Sequence, residues 1–412
     1  MYVMKLEIKT SFLIERTLVF VFLLYIEWYL EIWGDNHLIL YGSVGLLTGL
    51  VAIRLVRQRY LHLNTMPSFL KMYFIYFAYS FTGILVARNI SAMVSSLITF
   101  FCFIIVCFDC WYISYLVNDH NWIYKILKYV AVICALQVIL RGQPYYNGII
   151  VTTMSSKNNP NTLALILLIG MLSVVIDFKV EKLSNFIISM LANVLLLYGI
   201  ILTGSRKCFL AAIPVMVYWL WFYIKVTRKE GKTKRLLFLI AVMILGLAVC
   251  FSYYSKYFQS MSIFERLTTL FTGSETKRKH LYADAVTFFL ASPIIGIGFH
   301  QYRFWSPYNA YSHSSYAEVL SCGGIVGTLI FFVPLLTCLL RYIKSAFQKK
   351  PFDEMYRIRM IALMFVCELF LGVGQIFLYD MLHLLVLMLI SMEEKLFTVE
   401  CERESVEQSL LI

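Results

Sequence analysis

The sequence predicts an all-α polytopic membrane protein with about eleven or twelve transmembrane helices and one long extracytoplasmic loop. Three observations predict it. Of the 412 residues, 60% are hydrophobic and 15% charged, with a mean hydropathy of +0.75; soluble domains carry about a quarter charged residues and under half apolar ones. Apolar windows of bilayer-spanning length recur along the whole chain. Basic residues gather in alternate connections between those windows. The net charge of +12 therefore reads as membrane orientation, and no nucleic-acid partner is expected.

The windows fall near 17–33, 37–53, 68–87, 90–117, 122–140, 162–178, 183–203, 208–224, 236–252, 316–340, 360–376 and 378–393. The last two are short enough to be a tight hairpin or one interrupted span. The first window carries Glu27 and lacks a small-residue cleavage site after it, so it reads as a retained span. With both termini cytoplasmic, about two thirds of the 36 basic residues lie on the inside. The layout is then 1–252 for helices one to nine, 253–315 for the extracytoplasmic loop, 316–393 for helices ten to twelve, and 394–412 for a polar cytoplasmic tail. The loop is rich in Tyr, Phe, His and Arg, a composition that argues against disorder. Cys107-Phe-Asp-Cys110 has redox-motif spacing but sits in an apolar stretch, where thiols pack as small hydrophobes.

Several chemistries are missing. No phosphate-binding loop, dinucleotide fingerprint, paired zinc spacing or Asp-x-Asp occurs, which argues against a nucleotide-using site. What remains is cationic and aromatic. Thr203-Gly-Ser-Arg206-Lys207 puts two cations at the membrane rim, either as a phosphate clamp or as snorkelling helix ends. In the long loop, Lys277 to His280 precede an amphipathic stretch, Leu281 to Leu290. Tyr302, Arg303 and Trp305 then follow a Pro-Gly turn; they suit sugar stacking or interfacial packing equally. His313, at the start of the tenth span, is a base, a hydrogen-bond donor or simply structural. Asn161 could bond a sugar or cap its own helix, and the cap is preferred.

Four stretches in order resemble the O-antigen ligase and O-antigen/capsule polymerase superfamily of bacterial membrane glycosyltransferases. They are Asn158-Asn-Pro-Asn161-Thr-Leu-Ala164; Leu202-Thr-Gly-Ser-Arg206; Arg278-Lys-His-Leu-Tyr282 with Pro293-Ile-Ile-Gly-Ile-Gly298; and His313-Ser-Ser-Tyr-Ala-Glu318 with Gly324-Ile-Val-Gly327. Two positions depart from the family pattern: Ser314 replaces an Asn and Tyr282 a Trp. The resemblance implies a GT-C-like helical fold in the bacterial cytoplasmic membrane, with 253–315 as the catalytic loop. It also implies a polyprenyl-diphosphate-linked oligosaccharide donor, a glycan acceptor, and neither metal nor other cofactor. Arg206 and Arg278 would face the pyrophosphate and His313 the acceptor hydroxyl, while Tyr282, Tyr302, Arg303, Trp305, Glu318 and Asn161 are the expected substrate contacts. A polymerase is preferred over a ligase, because no added domain suggests a protein or lipid-core acceptor, and a chain-length regulator is a possible partner. The rival of a different class is a glycan transporter, for which Glu27, Asp109 and Glu368 would be buried charges facing a cavity.

Overall fold

The structure is a computed structural model. It describes residues 12–26, 37–58, 63–141, 143–144, 150–151, 160–178, 183–229, 276–348 and 350–394. Their regular structure is helical but for one short antiparallel pair, Gln143–Pro144 with Ile150–Val151. The helices are α1 (Leu13–Leu24), α2 (His37–Gln58), α3 (Ser68–Ser80), α4 (Ile90–Val117), α5 (Asn121–Arg141), α6 (Pro160–Ile176), α7 (Leu183–Thr203) and α8 (Arg206–Lys229). They continue as α9 (Thr276–Ala291), α10 (Tyr302–Trp305), α11 (Ser315–Ala346), α12 (Phe352–Leu371) and α13 (381–394).

Five helices among the described residues are long and apolar enough to cross a membrane: Ile90–Val117, Asn121–Leu140, Ser184–Thr203, Arg206–Arg228 and Ser315–Ala346. The other expected windows mostly coincide with helices that are shorter or more charged, such as α3, α6 and α12. The window 236–252, Glu27, the loop up to Glu275 and the tail after Glu394 lie outside the described residues. The final pair resolves into two helices. Between them runs a tight hairpin, residues 372–380, containing a short 3-10 turn, Phe377–Tyr379.

The chain divides into two compact units. One comprises Met1–Val19, Tyr41–His120 and Glu275–Ile412; the other comprises Phe20–Leu40 and Asn121–Ser274. In the second unit, α6 is apolar all round and its residues 163–176 are buried, the signature of a central helix. Small residues let its neighbours close in: a Cβ at Gly170 would stand 2.2 Å from the Ala131 side chain, and one at Gly199 would stand 2.8 Å from Leu167.

In the first unit, α11 is the organising helix and packs against α3, α9 and α12. It is broken at Gly324, whose backbone (φ 60°, ψ −163°) is non-helical. The turn Pro293–Gly298 fills the break. Ile297 and Gly298 N–H donate to the Ser321 and Cys322 carbonyls at 2.9 and 3.0 Å, and Ile325 and Val326 N–H donate to the Pro293 and Ile294 carbonyls at 2.8 and 3.3 Å. The glycine run therefore does more than permit close helix approach. Gly323 and Gly327 accommodate Tyr76 and Tyr79 of α3, and the Tyr79 hydroxyl donates to the Gly323 carbonyl at 2.7 Å.

Two charges expected to face a transport cavity are instead bonded to protein. Asp109 accepts from the Thr48 hydroxyl at 2.8 Å. Glu368 accepts from His383 Nδ1 at 2.6 Å, and His383 Nε2 reaches Gln375 Oε1 at 3.0 Å. The eight described cysteines, Cys107 and Cys110 included, are free thiols, and seven are buried.

Candidate active site

The hairpin 372–380 holds two of the expected catalytic segments. Ser315, the first residue of α11, donates its N–H to the Gly372 and Gln375 carbonyls at 2.8 and 3.0 Å. Its hydroxyl donates to the Gln375 carbonyl at 2.7 Å and accepts from Phe377 N–H at 2.9 Å. On α9, the Tyr282 hydroxyl donates to the Val373 carbonyl at 3.1 Å. Arg278 lies one turn before Tyr282, four residues back and hence on the same helix face; it is half-buried. The start of α9 and the start of α11 are thus fastened to one hairpin.

His313 stands at the apex of the turn entering α11. It is exposed, and its backbone is left-handed (φ 54°), a conformation that costs a residue with a Cβ about 1–2 kcal/mol. The residues on either side are tied down. Ser312 donates its hydroxyl to the Ser314 carbonyl at 2.9 Å and accepts from Ser314 N–H at 3.2 Å. Ser314 caps α11 by accepting from Ala317 N–H at 3.5 Å, so the residue that replaces the family's Asn is a buried cap.

Beside this turn lies a polar aromatic chain. Arg303 Nη1 donates to the Tyr311 hydroxyl at 3.1 Å, and that hydroxyl shares a hydrogen bond with His300 Nε2 at 2.7 Å. The His300 and Tyr311 rings both pack on Tyr379. Burial first, then the Arg303 charge, pushes the His300 imidazole down to about 4. His300 is therefore neutral at pH 7. Its unfolded pKa is about 6.5, so the unfolded chain takes up a proton as pH falls from about 6.5 toward 4 while the folded chain does not. Thermal unfolding of wild type is expected to lose more stability over that window than His300→Phe; parallel pH curves would contradict it.

In the second unit, α7 ends at Thr203 and α8 begins at Arg206. The Ser205 hydroxyl between them donates to Asn161 Oδ1 at 3.1 Å. Arg206 and Lys207 occupy the first turn of α8, which has no acidic residue. Cations at the positive end of a helix dipole concentrate a field that suits an anion.

Several expected substrate contacts take other roles. Tyr302 is fully buried in the core formed by Leu281, Ala285, Phe288, Ile297 and Cys322, with its hydroxyl on the Leu281 carbonyl; no glycan can reach it. Glu318 is likewise fully buried, bonded to Ser312 N–H and the Tyr379 hydroxyl. Asn161 is the second residue of α6 rather than its cap, and it accepts from Ser205. Trp305 packs edge-on to Phe288, and the Arg88 guanidinium lies 3.7 Å from its ring centre. Arg303 and Tyr282 keep partly accessible positions.

Sequence reasoning missed Asn89, His300, Gln301, Gln375 and Tyr379. Asn89 alone carried a signal, as a capping residue before an apolar run. It accepts from Ala92 N–H at 2.9 Å, and its own backbone exchanges two bonds with the Gln301 side chain.

Residues 191–332, about a third of the chain, match the family model described as O-antigen ligase. That stretch contains Arg206, Arg278, His313, Glu318 and Gly324. No curated protein matches the sequence. A chain from a solved peptidoglycan synthase complex, described for its structural coordination of polymerization and crosslinking, has a TM-score of 0.41 and 13% identity. The likeness covers 80% of this chain and 97% of that one.

Proposed function

From that family match we propose that the chain is a polysaccharide polymerase, joining polyprenyl-diphosphate-linked oligosaccharide repeat units at the outer face of the cytoplasmic membrane. The supporting observation is the shared hairpin: Tyr282 on the Val373 carbonyl and Ser315 on the Gly372 carbonyl fasten the Arg278 helix and the His313 turn to one support. A half-buried cation and an exposed imidazole are the two groups the reaction needs.

In the proposed step, an acceptor hydroxyl attacks the donor's anomeric carbon as the carbon–oxygen bond to diphosphate breaks, with inversion. His313 takes the hydroxyl proton. Polyprenyl diphosphate leaves with the electron pair, and Arg278 stabilises the developing charge by paired N–H donors. Arg206 is assigned to the same leaving group by its motif. If bidentate geometry matters there, Arg206→Lys loses most activity despite the retained charge, because ammonium is a point donor; full activity in that variant removes the assignment.

The test is transfer by the purified full-length chain in vesicles with lipid-linked repeats and a chelator. A ladder of longer lipid-linked glycans with released polyprenyl diphosphate is expected, and no transfer sinks the reading. A second reading, transfer of a finished glycan to a final acceptor, is favoured by the ligase description of the family model. Cells lacking the chain separate the two: single repeats accumulate for a polymerase, whereas long carrier-bound chains accumulate for a ligase.

A further inference from the structure

We propose that Glu318 is a positioning residue: its carboxylate reaches back over the start of α11 to hold the backbone that carries His313, and touches no substrate. This rests on the reading of His313 as the acceptor base. Glu318 is the fourth residue of α11 and is fully buried. Oε2 accepts from Ser312 N–H at 3.0 Å. Oε1 accepts from the Tyr379 hydroxyl at 3.1 Å and from the Cys322 thiol at 3.9 Å. One oxygen therefore secures the residue before His313, and the other joins that turn to the 372–380 hairpin.

The His313 turn needs such an anchor. A residue with a Cβ holds a left-handed conformation only where its surroundings over-determine it. The Ser312–Ser314 bonds close the turn on itself, but Glu318 fixes it to the helix. Without the carboxylate, Ser312 N–H loses its partner and the turn can relax, carrying the imidazole off its line to the acceptor hydroxyl.

The groups facing the carboxylate, from Ser312, Tyr379 and Cys322, are all neutral donors, so reach rather than charge is what the site uses. Glutamine keeps the reach: its oxygen can accept from Ser312 N–H while its amide N–H donates to the Tyr379 oxygen. Aspartate keeps the charge but is one carbon shorter and cannot span to Ser312. The usual ranking of conservative substitutions is therefore reversed.

The experiment compares Glu318→Gln and Glu318→Asp in the full-length chain, with donor KM and turnover measured separately and His313→Ala run alongside. Glu318→Gln is expected to stay within about threefold of wild type and Glu318→Asp to lose about 10²-fold in turnover, the scale that a 1 Å misplacement produces, with donor KM unchanged in both. Folding is checked by detergent size-exclusion profile and melting temperature. If Glu318→Asp does not fold, Glu318→Gln decides alone: near-native turnover supports the anchor, and a folded but inactive protein overturns it. Aspartate above glutamine, or a raised donor KM in either, also overturns it. Activity surviving in His313→Ala instead overturns the reading of His313 on which the anchor rests.

Discussion

His313→Ala is expected to lower glycan transfer by about 10²–10⁴-fold, the range contributed by an oriented acid–base group. The imidazole is exposed at the apex of a closed turn, so truncation leaves no buried cavity. Alanine suffers the same left-handed strain as histidine, and the backbone at φ 54° is therefore no worse off. His313→Gly sharpens the result, because glycine relieves that strain and should raise stability while abolishing activity equally. Loss of stability thus cannot account for both variants. The quantity to measure is the size distribution of lipid-linked glycans in cells carrying each variant alone. Single repeats with the long ladder gone would place His313 in the site of a polymerase. A normal ladder and normal attachment would remove it from the chemistry and reopen transport.

The helices were legible because apolar periodicity and length survive in any single sequence, and α4, α5, α7 and α8 lie where their windows do. The motif residues were legible as types but not as roles. Tyr302 and Glu318 have the side chains a glycan site would use, and the same side chains serve a core; only burial separates the two. Asn161 has the chemistry of a cap, yet its bond goes to Ser205, 44 residues away. The hairpin 372–380 was invisible as a support because it acts largely through backbone carbonyls of Gly372, Val373 and Gln375. A carbonyl has no residue-type signature, and its partners lie tens of residues away. Pro293–Gly298 and Gly323–Gly327 were each visible in the sequence, while their engagement across a broken helix was not.

That engagement gives the second large effect: Gly324→Ala and Gly296→Ala are each expected to prevent stable folding. A Cβ on Gly324 would stand 2.4 Å from the Ile294 carbonyl oxygen, and one on Gly296 would stand 2.3 Å from the Cys322 carbonyl oxygen. Both backbones are left-handed, at φ 60° and 72°. The obstructing atoms are main chain, so no rotamer change clears them. Separating the segments breaks four inter-segment hydrogen bonds, each worth about 1 kcal/mol net in water and more where the freed groups face hydrocarbon. The strain at each position adds about 1–3 kcal/mol, a total that consumes much of a stability of about 5–15 kcal/mol. Gly45→Ala is the control: nothing lies within 4 Å of its added Cβ, and alanine in a helix interior gains about 1 kcal/mol over glycine. Melting temperature and monodisperse yield in detergent read the difference, and a native melt for Gly324→Ala would refute the close crossing. The double variant cannot rescue either single one, because each added Cβ meets backbone rather than the other side chain. The break in α11 leaves carbonyls that the helix itself cannot satisfy. The Pro293–Gly298 turn supplies the missing donors, so the two glycine motifs form a single structural element.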